Sequence, residues 1–113
     1  GVGPLFGRYP GDVYDGDTVH LDIDLGFHTW RRGERYRLAR INAPELKTAA
    51  GPASRDALTK RLAEAKSITA ATSKADNYGR YLVELVDDLG VNVNDWMGSN
   101  GFAAPYPGAS LAR

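Results

Sequence analysis

Hydrophobic and polar residues alternate in the first third of the chain. The run over residues 19–25 places Val, Leu, Ile and Leu at every second position, which predicts a strand with one buried face. Val13 marks an earlier strand, and a polar turn containing Gly33 precedes a third strand over residues 36–41. The pattern predicts a three-stranded meander, with a bulge or an edge at Pro10 and Gly11 in its first strand.

The hydrophobic period changes after residue 50. Leu58, Leu62 and Ala65 recur at helical spacing after Gly51-Pro52, which predicts an amphipathic helix of about 14 residues. Two further strands are expected over residues 67–71 and 81–86. A short helix is expected over residues 93–100, with Asn92 as its N-cap and Gly101 as a left-handed C-terminal residue.

This order of elements predicts a single α+β domain over residues 1–113. Five short twisted strands can curl into an oligonucleotide-binding (OB-fold) β-barrel, with the amphipathic helix between strands 3 and 4 and the short helix after strand 5. We expect residues 1–6 to be flexible or to derive from the expression vector, and the chain to be irregular after Pro105 and Pro107.

Composition restricts the class of protein. The 113 residues suffice for one core, and 42% hydrophobic and 25% charged residues are ordinary for a soluble globular protein. Apolar runs are far shorter than a membrane span, and no leader opens the chain, so we expect a soluble protein, either mature and secreted or cytoplasmic. The absence of cysteine excludes disulfides and thiolate chemistry.

The formal net charge is zero, which argues against a protein that coats duplex nucleic acid through many phosphate contacts. The charge is uneven, however, because five of the ten residues 31–40 are arginine. Such a concentration suits a local anion site. For Arg31 and Arg32, a solvated hairpin is an equally good interpretation.

Two short segments carry candidate chemistry. Asp15 and Asp17 flank Gly16 at the start of a strand, where Asp17 can project its carboxylate and Asp15 can brace the turn through backbone N–H groups. An ordinary Asp-Gly turn is the alternative.

In the second segment, Pro44 keeps Ala43 extended with its carbonyl able to face a cation, and Glu45 leaves a constrained turn. Alternation places Arg35, Arg37, Ala39 and Ile41 on one face of the strand, and a surface ion pair between Arg37 and Glu45 is the alternative to a catalytic role.

Four ordered motifs together resemble the staphylococcal nuclease (thermonuclease) family. They are Asp-Gly-Asp-Thr-Val at 15–19, Arg-Leu-x-x-Ile-x-Ala-Pro-Glu at 37–45, Tyr-Gly-Arg-Tyr-Leu at 78–82 and Gly-Phe-Ala at 101–103. The similarity runs from about residue 7 to residue 106. It implies a calcium-dependent nuclease on an OB-fold barrel that hydrolyses DNA and RNA at the P–O5′ bond and leaves 3′-phosphates.

The resemblance also implies roles for individual residues. Asp17 and the Ala43 carbonyl would bind calcium, Glu45 would act as general base or orient water, and Arg37 and Arg80 would bind the scissile phosphate. Tyr78 and Tyr106 would line the nucleotide pocket. We expect a monomer acting on single-stranded or frayed DNA or RNA.

Three departures from the family pattern bear on these roles. Asn42 stands where the family usually has a second calcium-ligating aspartate, so we expect Asn42 to ligate the ion through its amide oxygen and calcium to bind weakly. Asn77 replaces a lysine that helps to hold the nucleotide, and we expect the family's C-terminal helix to be absent, since only residues 107–113 follow Tyr106. The alternative function is a catalytically silenced module of the same fold that binds nucleic acid or protein.

Four other residues are not assigned to the site. His20 and His28 lack a cluster of metal-binding side chains and are expected at the surface. Trp96, in the short helix, is expected to pack on the core. Trp30 suits equally well a stacking platform for single strands and a loop side chain folded onto the barrel.

Overall fold

The computed structural model describes the backbone of residues 4–8, 13–26, 29–75 and 81–105, and the side chains of residues 13–21, 35–72 and 81–105. Within these residues the chain forms eight strands and two helices. The strands are β1 Pro4–Arg8, β2 Val13–Asp15, β3 Thr18–Gly26, β4 Thr29–Leu38, β5 Ile41–Asn42, β6 Ile68–Ala75, β7 Tyr81–Asp87 and β8 Ala104–Pro105. The helices are α1 Ala50–Glu64 and α2 Val93–Ser99.

The strands form one large mixed sheet and one small one. Six strands are ordered β1-β6-β7-β4-β3-β2, and β1 pairs with β3 as well as with β6. Neighbours are antiparallel except β4 and β7, which run parallel. The short strands β5 and β8 pair separately. The predicted α+β class is confirmed.

One hydrophobic core lies between the sheet and the two helices. Leu21 and Tyr36 from the sheet, Leu58 and Leu62 from α1, and Met97 from α2 are almost completely buried in it. Their spacing is what the sequence pattern predicted, two residues within strands and four within α1. The remaining buried members of this core are Val19, Leu38, Ile41, Ile68, Ala70, Val83, Leu85 and Val93.

Both predicted helices are confirmed to within one or two residues. In α2, the Asn92 side chain accepts a hydrogen bond from the Asp95 backbone N–H at 2.9 Å and thereby acts as the predicted N-cap. Gly101 has φ 76°, the left-handed conformation expected after a helix. As predicted, α1 follows the meander and precedes β6 and β7.

The predicted turn at Gly33 is wrong. Gly33 lies inside β4, and the connection between β3 and β4 falls between Gly26 and Thr29, which pair with each other. Register shifts between Leu21 and Ile23, and again between Asp24 and Gly26, let the long hairpin continue through a polar segment. The pairing of backbone groups, which the side-chain pattern does not report, keeps this segment extended.

The predicted strand over residues 36–41 is interrupted. Ala39 and Arg40 form a turn in which Arg40 has φ 70°, so β4 ends at Leu38 and β5 begins at Ile41. The turn breaks the alternation, and Ile41 enters the same core as Leu38 instead of sharing the Arg37 face. The proposed irregularity at Pro10 and Gly11 lies outside the described residues.

In the part of the chain that the structure describes, neither helix has the length and apolar composition needed to cross a bilayer.

Candidate active site

Asp17 occupies the tight turn between β2 and β3 and is only 6% exposed. Its Oδ2 accepts a hydrogen bond from the Ala43 backbone N–H at 2.7 Å, and its Oδ1 accepts one from the Thr18 hydroxyl at 3.0 Å. The first of these bonds joins two segments far apart in the sequence. Asp17 thus fixes the segment after β5 against the β2–β3 turn.

Arg37 lies near the end of β4, opposite Thr18 on β3, and is 5% exposed. Its Nη1 donates to the carbonyls of Leu38 at 3.2 Å and Ile41 at 3.0 Å. Its Nη2 lies 3.6 Å from Asp17 Oδ2. Because two of these partners are backbone groups, the guanidinium is held in one orientation beside the carboxylate.

Asn42 closes this cluster. Its side-chain oxygen accepts a hydrogen bond from Arg37 Nη2 at 2.9 Å. The short strand β5 carries Asn42, and the preceding turn is held by Arg40, whose guanidinium contacts Glu84 at 2.6 and 2.7 Å and Asp95 at 2.7 Å. These ion pairs raise the pKa of Arg40, so the guanidinium stays charged.

Asp15 lies beside Asp17 and accepts a hydrogen bond from the Asp17 backbone N–H through Oδ1 at 3.0 Å. This is the contact expected of a residue that braces the turn. Burial, followed by the interaction with the Asp17 carboxylate, raises the pKa of Asp15 to about 6. Asp15 therefore gains its negative charge as the pH rises through about 6.

Glu45 follows Ala43-Pro44 and is solvent-facing, with its side chain 71% exposed. Its Oε2 lies 3.3 Å from Lys47 Nζ, while its backbone carbonyl accepts hydrogen bonds from the Thr48 N–H at 3.0 Å and the Thr48 hydroxyl at 2.6 Å. Gly51, in the first turn of α1, packs so closely here that a Cβ would lie 2.1 Å from the Glu45 carbonyl oxygen. The Glu45 backbone is thus held by the start of α1 while its carboxylate is accessible.

The start of α1 also supports the Asp17 turn. A Cβ on Gly16 would lie 1.9 Å from Ser54 Oγ and 2.7 Å from Ala43 Cβ. Ser54 is buried on α1 and donates its hydroxyl to the Phe102 carbonyl at 2.7 Å. Only glycine fits at position 16 without displacing these neighbours.

The structure brings four of the predicted site residues into direct contact, Asp17, Arg37, Asn42 and Ala43, and places Asp15 next to them. Glu45 lies two residues beyond Ala43. The predicted residues Tyr78, Arg80 and Tyr106 lie outside the described residues.

Several residues at and around the site were missed by sequence reasoning. Ser54 packs against the Asp17 turn, and nothing in its spacing indicates this contact. Thr18 lies inside the motif at 15–19, but its hydrogen bond to the Asp17 carboxylate was not predicted. Asn94 is completely buried on α2, where it donates to the carbonyls of Ala39 at 3.0 Å and Val83 at 2.9 Å and accepts from the Leu85 N–H at 3.0 Å. A polar residue at a core position of a predicted helix was the available signal for Asn94.

The structure also locates some of the residues that were not assigned to the site. Trp96 is half-buried, packs on the core and stacks on Phe102 with ring centroids 5.7 Å apart, as predicted. His20 is half-buried on β3, and its Nδ1 is buried without a hydrogen-bond partner among the described residues. His28 and the side chains of Trp30, Arg31 and Arg32 lie outside the described part.

The donor set agrees in kind with a calcium site. Asp17 and Asn42 offer side-chain oxygens, and Ala43 offers a carbonyl, which are the hard ligands that calcium prefers. The carboxylate count is low: within the described residues, no group of three or more His, Cys, Asp or Glu side chains is placed to hold a metal ion. These residues therefore match a calcium site in the type of their donor atoms, with Asp17 as the one carboxylate among them.

A mixed sheet carrying a buried carboxylate–guanidinium cluster at the end of one strand defines a candidate phosphodiesterase site. A family model described as staphylococcal nuclease homologue matches residues 35–110. The chain belongs to this nuclease family.

Curated relatives carry nuclease names. The chain is 37% identical over 94 residues to an uncharacterized endonuclease of Escherichia coli O157:H7, and equally to one of Escherichia coli, covering 83% of this chain and 57% of those proteins. It is 31% identical over 111 residues to Endonuclease YhcR of Bacillus subtilis (strain 168), covering 88% of this chain and 9% of that protein. The chain thus spans little more than half of the first two relatives and a small part of the third.

Proposed function

We propose that this chain is a metal-dependent endonuclease domain that hydrolyses phosphodiester bonds of DNA or RNA and leaves 3′-phosphates. One observation carries the proposal: the Asp17 turn, the end of β4 and the Asn42-Ala43 segment meet in a single cluster, with Arg37 Nη2 at 2.9 Å from Asn42 and 3.6 Å from Asp17. The family and the names of the relatives support the same activity.

We also propose that the strands wrap as an OB-fold barrel. The pairing of β1 with both β3 and β6 supports this arrangement, because it joins the two sides of the large sheet. The candidate site would then lie at the mouth of the barrel, beside the start of α1.

The chemistry assigned to the site is mainly electrostatic. Hydrolysis concentrates negative charge on the phosphorus oxygens, and fixed cationic groups stabilise that charge by several kcal/mol because they need no reorganisation. Arg37, already oriented by backbone carbonyls, supplies one such group, and Arg80 is proposed to supply a second. Glu45, exposed next to the cluster, would orient water or accept its proton.

A calcium ion, when bound, would add a divalent positive charge next to the phosphate. Asp17, Asn42 and the Ala43 carbonyl are proposed to hold it. The protein residues bind and orient the phosphate, and the low number of carboxylates is the reason to expect weak metal affinity.

Cleavage of a labelled single-stranded oligonucleotide tests the proposed activity. We expect cleavage with calcium and none after chelation with EDTA. Glu45→Gln should lower kcat about 10²- to 10⁴-fold, the range for general acid–base groups, whereas Glu64→Gln, an exposed glutamate on α1, should leave kcat unchanged. Cleavage that survives chelation, or full activity in Glu45→Gln, would contradict the proposal.

Asn42→Asp tests the metal assignment. A second full charge about 4 Å from a divalent ion contributes about 2 kcal/mol even in water, so calcium should bind roughly 30-fold more tightly. Isothermal titration calorimetry measures this, with Leu89→Asp, which adds the same charge in an exposed turn, as the control. Unchanged affinity in Asn42→Asp would exclude residue 42 as a ligand.

A second candidate function is a silenced module that binds nucleic acid without cutting it. It is favoured by the hydrogen bond from Arg37 to the Asn42 oxygen, which engages the side chain that replaces a metal-ligating aspartate. Salt-dependent retention of the oligonucleotide without cleavage in calcium would select this alternative.

A further inference from the structure

A tyrosine and an arginine form an exposed pair on the face of the sheet that carries Arg37. Tyr14 on β2 is 54% exposed, and the Arg35 guanidinium lies over its ring at 5.6 Å from the centroid. Arg35 on β4 is itself exposed. This is cation–π geometry on an accessible surface. Neither residue belongs to the motifs that define the candidate site.

The strand register places this pair next to the candidate site. Thr18 is opposite Arg37, and His20 is opposite Arg35, while Val19 and Tyr36 between them are buried in the core. Arg35 and Arg37 therefore lie two residues apart on the same face of β4, where Arg35 is exposed and Arg37 is buried in the cluster with Asp17. At about 3.3 Å per residue, this separation is roughly 6–7 Å along the strand.

The chemistry of the pair suits a nucleotide. A tyrosine ring offers a flat apolar face on which any base can stack, and a guanidinium binds phosphate oxygens; proteins that hold single strands combine these two features. A peptide partner could also pack on the Tyr14 ring. It would not require the Arg35 guanidinium over the same ring, two residues along β4 from the proposed phosphate-binding residue Arg37.

We propose that Tyr14 and Arg35 form a subsite for the nucleotide that flanks the cleaved bond in a single strand. The Tyr14 ring stacks on the base, and Arg35 contacts the adjoining phosphate. This inference rests on the proposed function, since it takes Arg37 as the position of the scissile phosphate. The subsite would increase affinity for single strands without selecting a sequence, because every base has a stacking face.

The test uses short single-stranded oligonucleotides that contain one natural phosphodiester link. In matched versions, the base immediately 5′ or immediately 3′ of that link is either present or absent. Loss of one stacked base at an exposed platform is expected to weaken binding about 5- to 20-fold. Tyr14→Ala should therefore raise KM by about this factor with a smaller change in kcat. Tyr14→Phe, which keeps the ring, should behave as wild type.

Removal of the base gives the sharper comparison. With the oligonucleotide that lacks the base facing Tyr14, the KM of the wild type should rise by the same factor. The KM of Tyr14→Ala should not rise any further. Arg35→Gln should also raise KM, whereas Arg55→Gln on α1 serves as the arginine control. The subsite would be overturned if Tyr14→Ala had the KM of the wild type. It would also be overturned if Tyr14→Ala raised KM by the same factor whether or not either flanking base was present.

Binding in EDTA separates this inference from the proposed activity. If wild type cuts nothing, the proposed function fails, and fluorescence anisotropy with the same oligonucleotides still tests the platform. Weaker binding by Tyr14→Ala than by Tyr14→Phe then supports the subsite, and equal binding refutes it. Thermal melts followed by circular dichroism verify that the variants are folded.

Discussion

Asp17 and Arg37 are both held by backbone groups rather than by each other alone. The Ala43 N–H binds the carboxylate, and the carbonyls of Leu38 and Ile41 bind the guanidinium, which lies 3.6 Å from Asp17. Because backbone positions are fixed by the sheet, these side chains would lose little further entropy on binding a phosphate as proposed. At the residue scale, the site depends on how closely its turns pack.

Gly16→Ala tests that packing. Its new Cβ would overlap Ser54 Oγ at 1.9 Å and crowd Ala43, so we expect a loss of about 1–3 kcal/mol in stability and reduced cleavage, because the Asp17 turn must shift. Urea unfolding measures the loss. With Ser54→Ala in the same chain the clash is smaller. The double variant should therefore lose about 1 kcal/mol less stability than the sum of the losses in the two single variants. Strict additivity would show that Gly16 and Ser54 do not compete for space.

At the scale of elements, Arg61 and Asp87 join α1 to the end of β7. Arg61 Nη2 contacts Asp87 Oδ2, and Asp87 Oδ1 accepts from the N–H groups of Leu89 at 2.9 Å and Val91 at 2.8 Å. Burial alone would raise the pKa of Asp87, but these hydrogen bonds outweigh it and lower the pKa below 3.8. The pair thus stabilises the fold above that pH and loses its effect as the pH falls through the lowered pKa.

Arg61→Met leaves the Asp87 carboxylate buried without its cation. We expect a loss of about 3 kcal/mol at pH 7, against less than about 0.5 kcal/mol for Lys60→Met, its exposed neighbour on α1. The difference between Arg61→Met and wild type should shrink in acid, because the unpaired carboxyl in the variant takes up a proton at a higher pH than in wild type. Urea unfolding at pH 7, 5 and 3.5 measures this. A difference that is constant or grows in acid would contradict the assignment.

The elements also show what the sequence pattern can and cannot predict. Leu58 and Leu62 identified α1, and Asn92 and Gly101 identified the ends of α2, because these signals are local. The β3–β4 turn was misplaced because Gly33 resembles a turn residue, whereas cross-strand pairing keeps it extended. The sequence motifs predicted the contact among Asp17, Arg37, Asn42 and Ala43. They did not predict Ser54 and Tyr14, which act through contacts between distant segments that no spacing encodes.

At the scale of the whole molecule, charge balance limits how nucleic acid is held. The chain has 14 basic and 14 acidic side chains, so under the proposed function we expect few phosphate contacts, made mainly by arginines. We propose that three of these arginines contact the substrate: Arg35, Arg37 and Arg80. The logarithm of affinity for a single strand falls with the logarithm of salt concentration by about 0.7 for each phosphate contacted, which gives a slope of about −2.

This slope is measured by fluorescence anisotropy with a labelled single-stranded oligonucleotide of arbitrary sequence, in EDTA, at KCl concentrations between 50 and 200 mM. Binding should weaken roughly 20-fold over that range, far less than for proteins that make six to ten phosphate contacts. Arg35→Gln should flatten the slope by about 0.7, since it removes one contact, and Arg55→Gln should leave it unchanged. A slope steeper than about −4 would mean that a broad cationic surface, rather than the few assigned arginines, holds the strand.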